Sequence, residues 1–425
     1  MRGSFEAAAY HNLHFTRYGN DARLVASPGV PLAASDVAFD PYAYAVHEDP
    51  YPFYARLRAE APAYRNEALG FWALSRHADV LAAFKDPDTF SNRHGVSLDR
   101  DAFHEHADTT MSFLAMDPPR HTRMRLLVSR GFTPRRVAEL EPRIRAIAGE
   151  HLGAVAGHAT CDFIAEFAGK LPMDVISELL GVPREDRAEL RAFADTVVHR
   201  EEGMQGMPPE AGAAALRMLD YFVRMVADRR RAPRDDLTGA LLAAEIDGDR
   251  LSDREVIGFL FLMVVAGNET TTKLLGNAVY WLARNPGERA KVARDLALVP
   301  RWVEETLRYD NSTQMLMRTT LEDVRVRDVV IPAGENVLLL IGSANRDEAA
   351  FARPDVYDVR RDTSAMLSFG RGTHFCMGAS LARLEARVAF EEWWKRFPAY
   401  EVQPGGIRRV HSVNVRGFAA LPLKV

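Results

Sequence analysis

The stretch Phe369-Gly370-Arg371-Gly372-Thr373-His374-Phe375-Cys376-Met377-Gly378 decides how this chain is interpreted. It brackets one cysteine with glycines, and a helical pattern from Ala379 to Ala389 follows at once. The free N–H groups and positive dipole end of a helix favour an anion near its first turn. Cys376 is therefore well placed to be a thiolate. The other cysteine, Cys161, lies in a stretch without these features.

Three interpretations of Cys376 compete. A buried structural cysteine is common, a nucleophile would need a base such as His374, and a thiolate can also be an axial ligand of haem iron. The glycines of the loop favour the haem ligand, because they allow positive φ or a close backbone approach to a flat, bulky group. The ring of Phe369 would then cover the thiolate from solvent.

The pattern Phe-Gly-x-Gly-x-His-x-Cys-x-Gly closely resembles the cysteine-ligand loop of the cytochrome P450 family, and it fixes six of ten positions. The resemblance covers nearly all of the chain from about Asp40 onward. It implies a haem-thiolate monooxygenase that contains haem b, with Cys376 as the iron ligand. Phe369, Gly370, His374 and Gly378 would then lie beside the cofactor.

Composition agrees with an ordinary globular protein. The 425 residues are 47% apolar and 26% charged, and the net charge is −4, which argues against bulk nucleic-acid binding. Two distant cysteines suit a reducing cytosol. Residues 1–31 have no signal-type apolar core, and the most apolar run, 259–266, is too short to span a bilayer. We therefore expect a cytoplasmic protein without a membrane anchor, similar to the soluble bacterial members of the family.

Apolar periodicity predicts a mainly α protein with minor β-sheets, which is also the architecture that the resemblance implies: a large helical region and a small β-rich one. We expect a poorly patterned N-terminal extension at 1–35 and a single domain at 36–425. Helical spacing covers 51–61, 134–155, 183–198, 212–231 and 253–284, with Thr133 as a cap before Pro134. Strand patterns cover 63–65, 70–74, 324–331 and 337–341, and residues 332–335 read as a hairpin turn between the last two.

The longest predicted helix contains Ala266-Gly267-Asn268-Glu269-Thr270-Thr271-Thr272. Close helix packing and threonine back-bonding would explain part of this segment. A glycine, an acid and three threonines are nevertheless costly in an apolar helix, and a ligand against that face would explain them. The order Ala-Gly-x-Glu-Thr resembles the oxygen-activating segment of the family. The resemblance implies that the Thr270 hydroxyl hydrogen-bonds dioxygen, Glu269 helps deliver protons, and Ala266 and Gly267 adjoin the cofactor.

Two further sets follow from the resemblance. The first set is Glu305 and Arg308, spaced i,i+3, which would be buried together with a third residue and have a structural role. Such a spacing could equally be a surface salt bridge. We expect Arg353 in that role, although residues 345–347 lie in the same region. The second set would hold the haem propionates and comprises His121, Arg125, Arg318 and His374. Each of these residues could instead be a solvated surface charge.

A group of arginines flanks the loop and the 116–125 segment, and an acidic protein with a local basic patch suits an acidic ferredoxin. The resemblance implies a ferredoxin and its reductase as electron donors, although a scattered basic surface explains the arginines equally well. The group comprises Arg130, Arg135, Arg136, Arg360, Arg361 and Arg371.

The substrate pocket is predicted to be apolar, for a lipophilic small molecule of secondary or lipid metabolism. Its predicted lining could equally be plain core: Phe261, Met263, Met315, Leu316, Met317 and Val413. Two rival functions remain at this point, a peroxide-driven peroxygenase and a non-catalytic haem sensor or carrier. Peroxide users of the family usually lack the acid–threonine pair, which this chain has. We expect a monomer.

Overall fold

About 53% of the chain is helical in the structure, a computed structural model that describes residues 37–99, 102–129 and 132–425. The predicted N-terminal extension lies outside these residues, and Val37–Val425 form one compact unit. The α-helices are α1 Tyr44–Glu48, α2 Tyr51–Glu60, α3 His77–Lys85, α4 Asp108–Met111, α5 Arg120–Ser129, α6 Pro134–Glu139, α7 Glu141–Val155, α8 Leu171–Leu180, α9 Arg187–Val198, α10 Pro209–Arg231, α11 Leu237–Ala243, α12 Asp253–Arg284, α13 Pro286–Arg294, α14 Val299–Tyr309, α15 Ile341–Ala344 and α16 Ala379–Arg396.

Short strands form small sheets beside the helices. They are β1 Ala63–Asn66, β2 Phe71–Leu74, β3 Phe90–Ser91, β4 Thr160–Asp162, β5 Glu245–Ile246, β6 Asp249–Arg250, β7 Met315–Thr320, β8 Val324–Val326, β9 Val329–Ile331, β10 Asn336–Leu340, β11 Glu401–Val402, β12 Arg408–Arg409, β13 Phe418–Ala420 and β14 Pro422–Lys424. The mainly α class with minor sheets is confirmed.

The long helix α12 has the predicted bounds. Ser252 and Glu255 form a capping box, in which Ser252 Oγ accepts from the Glu255 N–H and Glu255 Oε2 accepts from the Ser252 N–H at 2.9 Å. The helix ends before Pro286, because the residue preceding a proline disfavours helical angles. This helix carries the predicted acid–alcohol segment at mid-length.

Other helix bounds differ from prediction where prolines intervene. The predicted helix 134–155 is broken at Leu140, because Pro142 occupies the first turn of a second helix. The Thr133 cap is confirmed, since its Oγ1 accepts from the Arg136 N–H at 3.3 Å. The predicted helix 212–231 begins earlier, at Pro209, and the predicted helix 183–198 opens with a 3₁₀ turn before α9.

The largest sheet has the order β1-β2-β10-β7-β3. Strand β10 lies between β2 (parallel) and β7 (antiparallel), with Leu338 opposite Met317. The predicted hairpin across 332–335 is wrong. Strand β9 pairs with β8 through a turn at Arg327, whose φ is 54°, while apolar β10 is buried at the centre of a different sheet.

The helical core and the sheet bury separate apolar groups. Helices α14 and α16 meet where the rings of Trp302 and Phe390 stack at 4.1 Å, within a large apolar cluster. The two faces of the main sheet cover two further clusters, one containing Met317 and one containing Phe84. Among the described helices, none has the length and apolar content needed to cross a membrane.

Candidate active site

The loop before α16 holds Cys376 through its backbone. The Cys376 N–H donates to the Phe369 carbonyl at 2.9 Å, which closes the loop around the intervening residues. Gly370 and Gly372 have φ of 68° and 70°, the left-handed region that favours glycine. A Cβ at Gly372 would also overlap the Phe84 carbonyl. Positive φ is therefore needed at these two positions, as predicted for the loop.

Gly378 differs from the other two, because its φ is −78°. A Cβ there would lie 3.9 Å from Cys376 Sγ and within 4 Å of no other neighbour. Glycine at 378 is thus not required by backbone conformation, and it leaves one side of the sulfur uncrowded. Close approach of a bulky group to the thiol is the remaining reason for a glycine at this point.

The thiol itself is not made a thiolate by the helix start alone. The surrounding protein desolvates Cys376 and raises its pKa, while the Gly378 and Ala379 N–H groups and the Arg125 guanidinium act in the opposite direction. Desolvation thus opposes the thiolate that the sequence pattern predicts, while the helix start and Arg125 favour it. A metal cation held by Cys376 would supply the missing charge, because a coordinating thiol is deprotonated outright.

Three separate segments bring the predicted propionate-binding side chains to one place beside this loop. The imidazole rings of His121 on α5 and His374 lie 4.1 Å apart. Arg125, one turn after His121, donates to the Phe375 carbonyl at 2.6 Å. Arg318 on β7 lies close enough to His374 to lower its pKa. The predicted set is therefore a cluster in space.

The two imidazole rings of this cluster lack partners among the described residues, whereas Arg318 Nη1 donates to the Met317 carbonyl at 2.7 Å. No ring nitrogen of His121 or His374 has a hydrogen-bond partner of ordinary geometry, and the Met116 carbonyl interacts only weakly with His374. Burial lowers the pKa of His121 to about 4 and that of His374 to about 2. Burial also lowers the pKa of the Arg318 guanidinium to about 10. Such a buried, electropositive group of donors fits a carboxylate-bearing cofactor.

On α12, Thr270 and Ala266 share one face. Thr270 Oγ1 donates to the Ala266 carbonyl at 2.8 Å, which is the back-bond considered as the alternative reading. Ser312 Oγ donates to the Thr270 carbonyl at 2.6 Å. A Cβ at Gly267 would contact Ile176 at an ordinary 3.6 Å, so helix packing does not require glycine there. Its place beside the cofactor stays a prediction.

The side chain of Glu269 is buried on the side of α12 that packs against α9. Its carboxylate is buried and lies 2.9 Å from Lys273 Nζ, and Asn268 donates to it at 3.4 Å. Burial acts to raise the pKa of Glu269, but the Lys273 charge outweighs it, so the pKa is lowered. Burial raises the pKa of Asp195 on α9, and its carboxyl lies close enough to Glu269 for that carboxylate to raise the pKa further. Lys273 was missed, although its i+4 spacing from Glu269 was visible in the sequence.

Glu305 and Arg308 form the predicted buried pair, with Arg308 Nη2 at 2.7 Å from Glu305 Oε1. The expected third member, Arg353, is wrong. Arg353 has φ of 48° and offers only its carbonyl, whereas Arg361 Nε lies 3.4 Å from Glu305 Oε1. Segment 345–347 contributes the Asn345 carbonyl, which accepts from Arg308 at 2.9 Å. No local spacing signals a partner that lies 56 residues away.

Most of the predicted substrate-pocket residues lie in the core. Met315, Met317 and Val413 pack in the cluster on one face of the main sheet and are almost fully buried. Alternation along β7 turns Leu316 to the opposite face, the one that carries Arg318. Leu316 is partly exposed and therefore fits a pocket wall, in contrast to the two methionines.

The two predicted pocket residues of α12 lie on different faces of the helix. Phe261 precedes Thr270 by nine residues, which is half a revolution around the helix, and it is buried. It belongs to the core, so its assignment to the pocket is wrong. Met263 precedes Thr270 by seven residues, lies on the same face and is partly exposed. It therefore remains a pocket candidate.

The predicted basic patch is smaller than expected. Arg130 lies outside the described residues, and Arg361 is committed to Glu305. Arg371 donates to the Ser364 carbonyl at 2.8 Å. Arg135 is exposed but paired with Glu139 at 2.9 Å, while Arg136 and Arg360 are exposed. Exposed arginines therefore remain on both flanking segments, but the six predicted residues do not form a single basic patch.

A cysteine loop of this kind, a donor cluster suited to an acidic cofactor and an acid–alcohol helix define a haem-thiolate class of protein. Residues 213–408 match the family model for cytochrome P450. The "Putative cytochrome P450 123" of Mycobacterium tuberculosis is 57% identical over 397 residues, which cover 93% of this chain and 99% of that protein. Cytochrome P450 107B1 of Saccharopolyspora erythraea is 41% identical over 403 residues, covering 91% and 97%.

The fold agrees with these relatives. The solved structure of cytochrome P450 CYP109Q5 from Chondromyces apiculatus superposes with a TM-score of 0.81 at 39% identity, covering 91% of this chain and 97% of that one. The chain belongs to the cytochrome P450 family. It is accordingly a haem-iron monooxygenase, an oxidoreductase.

Proposed function

We propose that this enzyme hydroxylates, or similarly oxidises, a lipophilic small molecule at haem b, with electrons from a ferredoxin and its reductase. The observation that carries the proposal is the buried cluster of His121, His374 and Arg318 beside the Cys376 loop. No imidazole nitrogen of the two histidines has a hydrogen-bond partner among the described residues, and burial lowers the pKa of Arg318. Propionate carboxylates would satisfy them, and Cys376 would ligate the iron.

The bound haem would supply O2 binding and, through its thiolate ligand, favour O–O cleavage. The chain supplies the rest. Arg125 would hold the loop through the Phe375 carbonyl, and Phe369, half-buried under the Arg383 guanidinium at 4.4 Å, would shield the thiolate side. Thr270 would exchange its bond to the Ala266 carbonyl for one to the reacting oxygen, and Glu269 would pass protons towards it.

The lipophilic class of substrate is supported by the partly exposed apolar side chains Met263 and Leu316, which lie on the faces of Thr270 and Arg318 respectively. Solved relatives also point this way. One cytochrome P450 from Bacillus megaterium was solved with testosterone, and another, P450BioI, was solved with a hexadec-9Z-enoic acid-ligated acyl carrier protein. Testosterone and hexadec-9-enoic acid are therefore the first compounds to screen for a spin-state shift of the oxidised haem.

The electron donor is proposed from charge. The chain carries a net charge of −4, yet Arg136 and Arg360 are exposed on segments that flank α5 and the cysteine loop. Local positive charge on an acidic protein would orient an acidic ferredoxin.

Thr270→Ala tests the proton-delivery part. With a plant-type ferredoxin and its NADPH-dependent reductase as surrogate donors, the fraction of NADPH electrons recovered as hydrogen peroxide should rise by roughly tenfold, because general acid–base groups typically contribute at least that much. Thr272→Ala is the matched control, because Thr272 Oγ1 is buried and donates to the Ala168 carbonyl at 3.2 Å. An unchanged peroxide fraction in Thr270→Ala would show that this hydroxyl has no part in proton delivery.

A further inference from the structure

A cavity of about 470 Å³ lies at the end of the main sheet, beside the loop that follows β3. Its lining includes Thr319 on β7 and Asn336 on β10, which are opposite each other in the sheet register. Residues 93–94 and 103–105 of the loop line its other side. Side chains alternate along a strand, so Thr319 and Arg318 lie on opposite faces of β7. The cavity is therefore separate from the donor cluster beside the cysteine loop.

Two side chains of the sheet have unused hydrogen-bonding capacity at this cavity. Thr319 is 6% exposed and its Oγ1 has no partner among the described residues, whereas the neighbouring Thr320 Oγ1 donates to the Pro332 carbonyl at 2.6 Å. The partly exposed amide of Asn336 also has no partner in the described part of the chain. An unpaired buried hydroxyl is costly. Since rotation about the Cα–Cβ bond moves the Thr319 hydroxyl between staggered positions, a ligand in the cavity can recruit it.

The charges of the lining favour an anion. Arg93 is exposed, and its guanidinium forms no ion pair with a described residue. Glu105, the one carboxylate of the described lining, is 82% exposed and lies 3.4 Å from His106. Burial and the Arg93 charge lower the pKa of His94, so its imidazole is neutral near pH 7. One unpaired cation near one exposed carboxylate suits a single negative charge better than a doubly charged phosphate.

Apolar side chains of the same cavity are suited to the body of a ligand. The Phe103 ring lies edge-on to the His94 ring, with 5.4 Å between their centroids. Leu321 also lines the cavity and is 38% exposed, which is unusual for a large apolar side chain in this protein. Pockets of a few hundred Å³ with apolar walls and a few polar groups are typical small-molecule sites.

We propose that this cavity is a second ligand site, which binds a small organic monocarboxylate with an aromatic or short aliphatic body. Arg93 would bind the carboxylate through its paired N–H groups, and Thr319 and Asn336 would donate further hydrogen bonds. The body would lie against Phe103 and Leu321. The site goes beyond the proposed function and does not depend on it, because none of its groups belongs to the haem site.

Fluorine NMR of 4-fluorobenzoate with the reduced, carbon monoxide-saturated holoenzyme tests the site while the iron is occupied. We expect a dissociation constant on the order of 1 mM, raised at least about tenfold in Arg93→Gln, because charge-assisted hydrogen bonds are the strong ones. Arg325→Gln is the matched control, because Arg325 is also exposed, on β8, and lies outside the cavity. Equal constants in Arg93→Gln and Arg325→Gln, or no binding at about 10 mM, would overturn the proposal.

Thr319→Val tests the buried hydroxyl, because valine keeps the branched shape and suits a strand. Its dissociation constant for 4-fluorobenzoate should be about three- to tenfold higher than that of wild type, as expected for one hydrogen bond. An unchanged constant would refute the part assigned to Thr319. The uncharged 4-fluorobenzamide should bind wild type at least about tenfold more weakly than the acid, and equal binding of the two compounds would refute the choice of an anion.

The absorption spectrum separates this site from the substrate pocket. Binding of 4-fluorobenzoate should leave the Soret band of the oxidised holoenzyme unchanged, because the cavity lies apart from the haem site. A spin-state shift that follows the same saturation curve, and that Arg93→Gln does not alter, would place the compound at the haem and refute the second site. That result would leave the proposed monooxygenase function intact.

Discussion

Arg308 is a guanidinium with no accessible surface, which one carboxylate neutralises and backbone carbonyls satisfy as hydrogen-bond acceptors. Glu305 pairs with it at 2.7 Å, and the carbonyls of Asn345 and Pro354 each accept from it at 2.9 Å. A buried ion pair is weak evidence of net stabilisation, but removing one partner leaves an uncompensated charge. Arg361 adds a second cation to Glu305, so this carboxylate offsets two charges.

Glu305→Gln should lower the free energy of unfolding by about 3–5 kcal/mol, the usual effect of breaking a buried pair. Denaturant titration of the holoenzyme measures it. The adjacent Glu304→Gln is the control, because Glu304 pairs with the more exposed Arg383 and should cost less than about 1 kcal/mol. Equal losses in the two variants would refute the structural role assigned to Glu305.

Individual site residues could be predicted from the sequence where they belong to a local motif. The 116–125 segment and the cysteine loop carry His121, Arg125 and His374, and the structure brings these together. The sequence could not identify Arg361 as a partner of Glu305, because the two residues lie far apart in the chain. Pairing across such distances is decided by tertiary packing.

The cysteine loop is an element whose conformation depends on glycine. Gly372 combines φ of 70° with a position where a Cβ would overlap the Phe84 carbonyl on α3. A side chain there must shift the loop or the helix. The structure therefore attributes the glycine to loop conformation, separately from any contact with cofactor.

Gly372→Ala should reduce the haem content of the purified protein by more than half, because a displaced loop moves Cys376 and His374 together. The haem-to-protein absorbance ratio measures this. Gly157→Ala is the control: Gly157 also has positive φ, 90°, but a Cβ there meets nothing within 4 Å. Its strain should cost about 1 kcal/mol without loss of haem. Equal haem content in the two variants would contradict the overlap argument.

The sequence predicted a helix correctly where the apolar periodicity extended over many residues and both helix ends carried capping or proline signals. The capping box of Ser252 and the proline after Asn285 set the limits of α12. The prediction failed at 332–335, where turn residues between two apolar runs suggested a hairpin. Strand β10 instead pairs with β7 and β2. Burial of both faces of β10 determines this pairing, and the local sequence does not reveal it.

At the scale of the whole molecule, Asp310 joins the helical region to the N- and C-terminal segments. Its carboxylate accepts from Tyr51 Oη, Trp281 Nε1 and Arg416 Nε, each at 2.7 Å. Burial acts to raise the pKa of Asp310, but Arg416 and Arg409 outweigh it and hold the pKa at about 2, below its usual 3.8.

This lowered pKa has a defined effect on acid stability. Since the folded state holds the proton less tightly than the unfolded state, the stabilisation is complete above pH 4 and is lost as pH falls towards 2, with a magnitude of roughly 2 kcal/mol. Asp310→Asn should unfold more easily near pH 7 and should lose this part of the pH dependence, measured by denaturant titrations between pH 2 and 7. Asp228→Asn, at an exposed pair, should keep it.

The central claim is that Cys376 is the thiolate ligand of a haem iron. The most direct test is the spectrum of the reduced, freshly purified protein with carbon monoxide. Thiolate ligation predicts the long-wavelength Soret band typical of cytochromes P450, and Cys376→Ala should lack it. A shorter-wavelength band, as given by histidine-ligated haem, in folded wild-type protein would contradict the account.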